Sequence, residues 1–139
     1  MAKGNVEIIR RAMEAWNRGD IEASLQLAHP AIEWSPGGAL PDATETFHGH
    51  EEVREFFRIF TEPWERISLE VDEFIERGDQ VVALGHFHAT GRDSGVEVAG
   101  SFGQVLTMRQ GLVVQLRAYQ DHTEALEAAG LGSADRQVS

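Results

Sequence analysis

Arg66-Ile67-Ser68-Leu69-Glu70-Val71-Asp72-Glu73-Phe74-Ile75-Glu76-Arg77-Gly78-Asp79-Gln80 is the stretch that decides the fold, because the apolar period changes there from helical to alternating. Side chains of an extended chain alternate between two faces, so Ile67, Leu69 and Val71 share one of them. Phe74 falls out of phase with that set, which predicts a β-bulge near Asp72-Glu73. Gly78-Asp79 suits a tight hairpin turn. Beyond it the pattern predicts a strand over 80–90, a turn over 91–95, a long strand over 96–109, a turn at Gln110-Gly111 and a last strand over 112–121.

Upstream of this meander the spacing is helical. Val6, Ile9, Met13 and Trp16 form an apolar stripe over 5–18, and Gly19 ends that helix. Asp20 caps a second, shorter helix with Ile21, Leu25 and Leu27 on its buried side, and His29-Pro30 stops it. A short strand is expected over 31–35 and a loop over 36–48, where Pro36, Gly37, Gly38 and Pro41 break any period. Glu51 and Glu52 open a third helix whose apolar face is Val53, Phe56, Phe57 and Phe60. Thr123 is expected to cap a final helix over 124–129, closed by Gly130. The order α-α-β-α-β-β-β-β-α predicts an α+β domain with helices on one face of a curved, largely antiparallel sheet. One domain is expected over 1–132, followed by a flexible tail over 133–139.

Composition narrows the partners. The 139 residues are 42% apolar and 25% charged, ordinary values for a globular protein. A formal charge of −11 opposes a phosphate backbone, so nucleic acid is excluded as a partner. The absence of cysteine removes disulfides, thiolate metal sites and thiol nucleophiles together. No apolar run reaches the length of a membrane span, and residues 1–20 carry charge throughout, unlike a secretory signal. No membrane partner and a cytoplasmic address are therefore expected.

Six segments in order carry a resemblance: 15–20 (Ala-Trp-Asn-Arg-Gly-Asp), 29–34 (His-Pro-Ala-Ile-Glu-Trp), 47–53, 94–98, 109–114, and Tyr119-Gln120-Asp121 leading into 124–131. With these, the span from Val6 to Leu131 resembles the nuclear transport factor 2-like superfamily, in its SnoaL-like (polyketide-cyclase-like) branch. The resemblance implies a cone-shaped, strongly curved sheet, an α+β barrel in outline, with the N-terminal helices on its concave face and a hydrophobic pocket inside. It also implies a homodimer, here through the outer sheet face. Members include ketosteroid isomerases, epoxide hydrolases, dehydratases and polyketide cyclases, and fold alone does not choose among them.

The catalytic sets of those relatives are largely missing. By motif position, the isomerase base falls at Ser35, its tyrosine near Ala12 and its second acid near Leu106. The Arg-x-Asp pair of the epoxide hydrolases overlays His86-Phe87-His88, and their other aspartate falls near Ala118. For a cyclase-type acid/base group, Asp121 is the nearest candidate. His86 and His88 point to one face of their strand, so if that face lines the pocket, two imidazoles are available for acid/base work. They would bind a metal only with a carboxylate such as Glu33 or Asp121. No third ligand is fixed by the sequence, so neither a metal nor another cofactor is expected.

Trp16, Trp34, Phe56, Phe60, Trp64, Phe102 and Tyr119 are the aromatic candidates for a ligand-binding lining, with Glu33 and Gln104 as its polar members. For any single aromatic the alternative is plain core. As a group they favour an apolar small organic ligand. His29, His48 and His50 flank turns and are expected to be exposed, and Glu70, Asp72, Glu73 and Glu76 read as a solvated strand face. Three functions follow: an acid/base isomerase, cyclase or hydrolase using His86, His88 and Asp121; a non-catalytic binding domain; or a dimerisation module with a vestigial pocket.

Overall fold

The structure, a computed structural model, describes residues 4–36 and 46–131. The expected tail over 133–139 and most of the expected 36–48 loop lie outside the described residues. In chain order the elements are α1 (Asn5–Asn17), α2 (Ile21–Leu25), β1 (Ala28–Ser35), β2 (Phe47–His48), α3 (Gly49–Thr61), β3 (Trp64–Arg77), β4 (Gln80–Gly91), β5 (Glu97–Arg109), β6 (Leu112–Tyr119) and α4 (His122–Ala128). One six-stranded sheet runs in the order β2-β1-β6-β5-β4-β3. All pairings are antiparallel except β1 with β6, so the sheet is mixed. It curves but stays open, with β2 and β3 as its edges, and the barrel outline is corrected to that extent.

The bulge expected at Asp72-Glu73 is where the β3–β4 register shifts, between Val71 and Glu73. It changes the phase of β3, so Phe74 rejoins the main core with Ile67, Leu69 and Val71. The turn at Gln110-Gly111 closes β5 onto β6 with both residues at positive φ (55° and 79°), as a two-residue hairpin turn requires. Gly85 faces the bulge from β4. A Cβ there would sit 2.0 Å from the Glu70 carbonyl oxygen, so glycine is what lets β3 approach so closely.

The helices divide between the two sheet faces. α1 packs on β3 and α3 on β1, and their apolar sides join Ile32, Val81, Ala83, Leu106 and Leu116 in the main core. α4 lies on the other face, where Ala125 and Leu126 bury Val82, Leu84 and Val105 in a smaller cluster. Helices on one face only is therefore corrected. α4 has its own apolar strip, and Gly103 clears space for it: a Cβ at that position would lie 2.5 Å from the Ala125 methyl. Its N-cap is Asp121, whose Oδ1 accepts the Glu124 N–H at 2.8 Å, in place of the expected Thr123. At its C-terminus Arg77 Nη1 donates to the Gly130 carbonyl at 2.9 Å.

Farther along the same edge strand, Asn17 ends α1 and its carboxamide grips the backbone of β3. Nδ2 donates to the Leu69 carbonyl at 2.8 Å and Oδ1 accepts the Leu69 N–H at 2.9 Å. Leu69 lies on an edge strand, so these backbone groups would otherwise be open to a foreign strand. Arg54 of α3 forks onto Glu22 of α2 at 2.6 and 2.9 Å and holds that carboxyl below its usual range. Among the described residues no helix is long and apolar enough to cross a membrane.

Two substitutions test this framework by denaturant unfolding. Gly85→Ala forces backbone apart at the bulge and is expected to cost about 2 kcal/mol or more. Asn17→Ala removes two exposed hydrogen bonds and is expected to cost about 1–2 kcal/mol. A stability unchanged within about 0.5 kcal/mol in either variant would contradict the corresponding contact.

Candidate ligand cavity

Between the α1/α3 layer and the inner sheet face lies a cavity of about 260 Å³. α1 contributes Ile9, Ala12, Met13 and Trp16 to its wall, and α3 contributes Phe56, Phe57 and Phe60. The sheet supplies Ile32 and Trp34 from β1, Trp64, Ile67 and Leu69 from β3, and Phe87 from β4. Phe102, Gln104 and Leu106 of β5 and Leu116 and Ala118 of β6 complete the floor. The aromatic rings brace one another: Trp34 meets Phe57 edge-on at 5.0 Å between centroids, and Trp16 meets Phe57 at 6.1 Å. Phe87 finds its place because its cross-strand neighbour is Gly100, where a Cβ would come within 2.8 Å of the ring.

Among the described lining residues none is Asp, Glu, His, Lys or Arg. The polar side chains of the lining are neutral: Ser24, Ser101, Gln104, Tyr119, Gln120 and the indoles of Trp16, Trp34 and Trp64. Ser101 is already engaged, its hydroxyl donating to the Gln120 carbonyl at 2.9 Å. Gln104 is the single buried polar side chain in the core among the described residues. Its cross-strand neighbours are Ala83 on β4 and Ala118 on β6. Neither its Oε1 nor Trp16 Nε1 has a hydrogen-bond partner within the described protein.

Strand phase places the sequence-predicted residues. Trp16, Trp34, Phe56, Phe60, Trp64, Phe102, Gln104 and Tyr119 all line the cavity, Tyr119 also reaching the small outer cluster. Glu33 does not. It lies between Ile32 and Trp34 on β1, so period two turns it to the outer face, where Gln115 Nε2 donates to it at 3.4 Å. The pocket-facing premise for His86 and His88 is corrected in the same way. Phe87 between them takes the cavity face, and both imidazoles point outward. Asp121 is corrected as well, being outside the lining and occupied as the α4 cap.

His86 does have carboxylates, but not Glu33 or Asp121. Its Nδ1 lies 2.8 Å from Asp72 and its Nε2 3.6 Å from Glu70, members of the acidic run that was read as merely solvated. These three groups lie close enough together to be tested as a cation cluster, on the outer face and far in chemistry from the cavity. Of the turn histidines, His48 is exposed as expected. His50 is partly buried and donates from Nε2 to the Ala28 carbonyl at 2.8 Å, and His29 Nδ1 accepts the Ala31 N–H at 2.9 Å.

Phe57 and Phe87 belong to the lining without being marked as such by the sequence. Phe57 reads as helix core and Phe87 only as a spacer between histidines, while Asn17, which clamps β3 outside the lining, carries no periodic signal at all. His122 was missed too: at the start of α4 its Nε2 donates to the Gly85 carbonyl at 2.9 Å, locking that helix to β4 beside the bulge.

Residues 9–116 match the SnoaL-like domain. No curated protein matches the chain. Among solved structures, a nuclear transport factor 2-like protein of unknown function from Burkholderia pseudomallei is 27% identical with a TM-score of 0.78, over 91% of this chain and 97% of that one. TerC, co-crystallised with polyporic acid, is 27% identical with a TM-score of 0.76, over 88% of this chain and 95% of that one. A second nuclear transport factor 2-like protein, from Burkholderia thailandensis, is 26% identical with a TM-score of 0.75, over 93% of this chain and 97% of that one.

Asp121→Ala separates a capping role from a catalytic one. Loss of the cap is expected to lower unfolding free energy by about 1 kcal/mol. Binding of an apolar fluorophore in the cavity is expected to be unchanged within twofold. A binding loss beyond fivefold in the folded variant would place Asp121 in the site after all.

Proposed function

The chain belongs to the SnoaL-like domain family, and on that premise we propose that it binds an apolar, ring-bearing small organic molecule in the cavity and holds it without acid/base chemistry. The observation that carries this reading is the lining itself, aromatic and aliphatic with neutral polar groups only among the described residues. Removing apolar ligand surface from water contributes roughly 25 cal/mol per Å². Edge-on rings such as Trp34 and Phe57 offer flat walls suited to flat ligands. An apolar cavity of roughly 150 Å³ is enough for a single benzene, so about 260 Å³ suits a molecule larger than one ring.

The positions where relatives carry acids and bases support binding over turnover. Ala12, Leu106 and Ala118 line the cavity with hydrocarbon, and Ser35 is turned outward to the Thr46 hydroxyl at 3.0 Å. The histidines are on the far side of the sheet. TerC's co-crystallisation with polyporic acid supports the ligand class, a small organic molecule.

N-phenyl-1-naphthylamine, whose emission rises in apolar surroundings, is the direct probe. Saturable binding at one molecule per chain is expected. Ala118→Phe and Ala12→Phe fill the cavity from opposite walls and are expected to weaken binding at least tenfold while the melting transition stays cooperative. The double variant His86→Ala/His88→Ala is expected to bind as the parent does. Non-saturable binding, or full affinity in both filled variants, would sink the cavity reading.

A further inference from the structure

On the outer sheet face, away from the cavity, an imidazole and two carboxylates converge. Glu70 and His86 are direct cross-strand partners on β3 and β4, and Asp72 joins them from the bulge, where the register shifts between Val71 and Glu73. One donor atom from each of the three lies within 4.8 Å of the other two, the single such group of His, Asp or Glu among the described residues. All three are open to solvent, the side chains of Glu70, Asp72 and His86 being 68%, 48% and 38% exposed. Among the described residues no lysine or arginine pairs with either carboxylate; each meets only His86. Two negative groups thus stand together without a cation of the protein to offset them.

The two ring nitrogens have different surroundings. Asp72 Oδ2 lies 2.8 Å from Nδ1. An ionised carboxylate only accepts, so Nδ1 donates the ring hydrogen and Nε2 keeps a free lone pair. Nε2 faces Glu70 Oε1 at 3.6 Å, too far for a hydrogen bond. Two donors on one tetrahedral metal, each about 2.0–2.1 Å from it, stand about 3.4 Å apart. The gap between Nε2 and Glu70 therefore has the span of a shared metal ion.

We propose that His86 Nε2 and Glu70 bind a divalent transition-metal cation of the zinc type on the outer sheet face, with Asp72 orienting the imidazole through Nδ1. A carboxylate behind the ring is the usual support of a metal-binding histidine, fixing its tautomer and raising its basicity. His88 is the third ligand. It is exposed, shares the strand face with His86, has its ring centroid 5.3 Å from that of His86, and reaches the ion by turning its side chain. Water fills the remaining position. Imidazole favours zinc, cobalt, nickel and copper, whereas magnesium and calcium favour oxygen ligands alone. The chain's charge of −11 draws cations to such a site. A metal held by β3 and β4 together also ties the edge strand to its neighbour beside the bulge.

The test titrates tag-free protein with zinc by calorimetry and with cobalt by visible absorption. One saturable equivalent per chain is expected, and excess magnesium or calcium should not displace it. His86→Ala and Glu70→Gln are each expected to weaken zinc at least tenfold, and Asp72→Asn about tenfold. His88→Ala is expected to weaken it at least threefold. His48→Ala removes another exposed imidazole beside a carboxylate, that of Glu52, and should leave binding within twofold of the parent. Zinc should raise the melting temperature of the parent but not of His86→Ala. The ligand side chains are exposed, so cooperative melting of the metal-free variants is expected. The double variant His86→Ala/His88→Ala should lose zinc and still bind N-phenyl-1-naphthylamine, which keeps this site distinct from the cavity. Absence of one-to-one binding, a loss of less than tenfold in His86→Ala, or displacement of zinc by magnesium would overturn the proposal. Should a variant fail to fold, protection of His86 by zinc against diethyl pyrocarbonate in the parent decides the matter, and an unprotected His86 counts against the site.

Discussion

Period-two alternation along β4 is the constraint on which the reading of this molecule depends. Phe87 sits on the cavity face, packed over Gly100, and this single choice turns His86 and His88 to the opposite side. A one-residue slip would exchange the faces, putting two imidazoles inside and a phenyl ring in water. Several contacts oppose that slip at once. Val81 and Ala83 are buried in the main core while Val82 and Leu84 are buried beneath α4, so the strand is covered on both sides near its start. The two-residue turn at Gly78-Asp79 fixes its register against β3. Asp72 and Glu70 then complete the outer face by taking the two nitrogens of His86.

The second determinant is the way the helical layer is held over the sheet. Apolar packing alone would let α1 slide along β3. The Asn17 carboxamide pairs with the Leu69 backbone as another strand would, and so fixes the end of α1 against one residue of the sheet edge. Trp16 precedes Asn17, so the clamp also sets where the indole enters the cavity. On the far side Arg54 ties α3 to α2, although that pair is exposed and its worth is small. Closing an edge and positioning a cavity residue are thus achieved by one side chain.

Much of the fold was legible because its signals are local. The change of period at Arg66, the out-of-phase Phe74 and the Gly-containing turns each act over a few residues, and they give strands, bulge and hairpins. The parallel β1–β6 pairing and the two-residue β2 were not legible, since pairing between distant segments leaves no periodic trace. α4 was read correctly as a helix but its face was not, because two apolar residues on one turn do not say which side of a sheet they cover. For the site, aromatic character predicted lining well: a curved sheet under helices leaves large apolar side chains few other places. The orientation of Glu33, His86 and His88 depended on phase, and phase is set by register rather than by residue type. The carboxyl of Asp121 suggests acid/base chemistry by residue type, whereas its position immediately before a helix makes a capping role equally available.

What remains inside is a cavity whose selectivity must come from few groups. An apolar wall discriminates weakly among ligands, since an added or missing methylene changes affinity by about 10–200-fold at most. A buried hydrogen-bonding group discriminates more sharply, because a ligand that fails to satisfy it leaves an unpaired polar atom in a dry place. Here the hydrocarbon surface accounts for how strongly a ring system is held, and the few neutral polar groups of the lining are the ones able to determine which ring system it is. An acid or base at Ala12, Leu106 or Ala118 would add a charge that this lining cannot solvate. The replacement of those groups by hydrocarbon and the neutrality of the remaining polar atoms are therefore one physical property, that of a cavity suited to recognising an uncharged molecule.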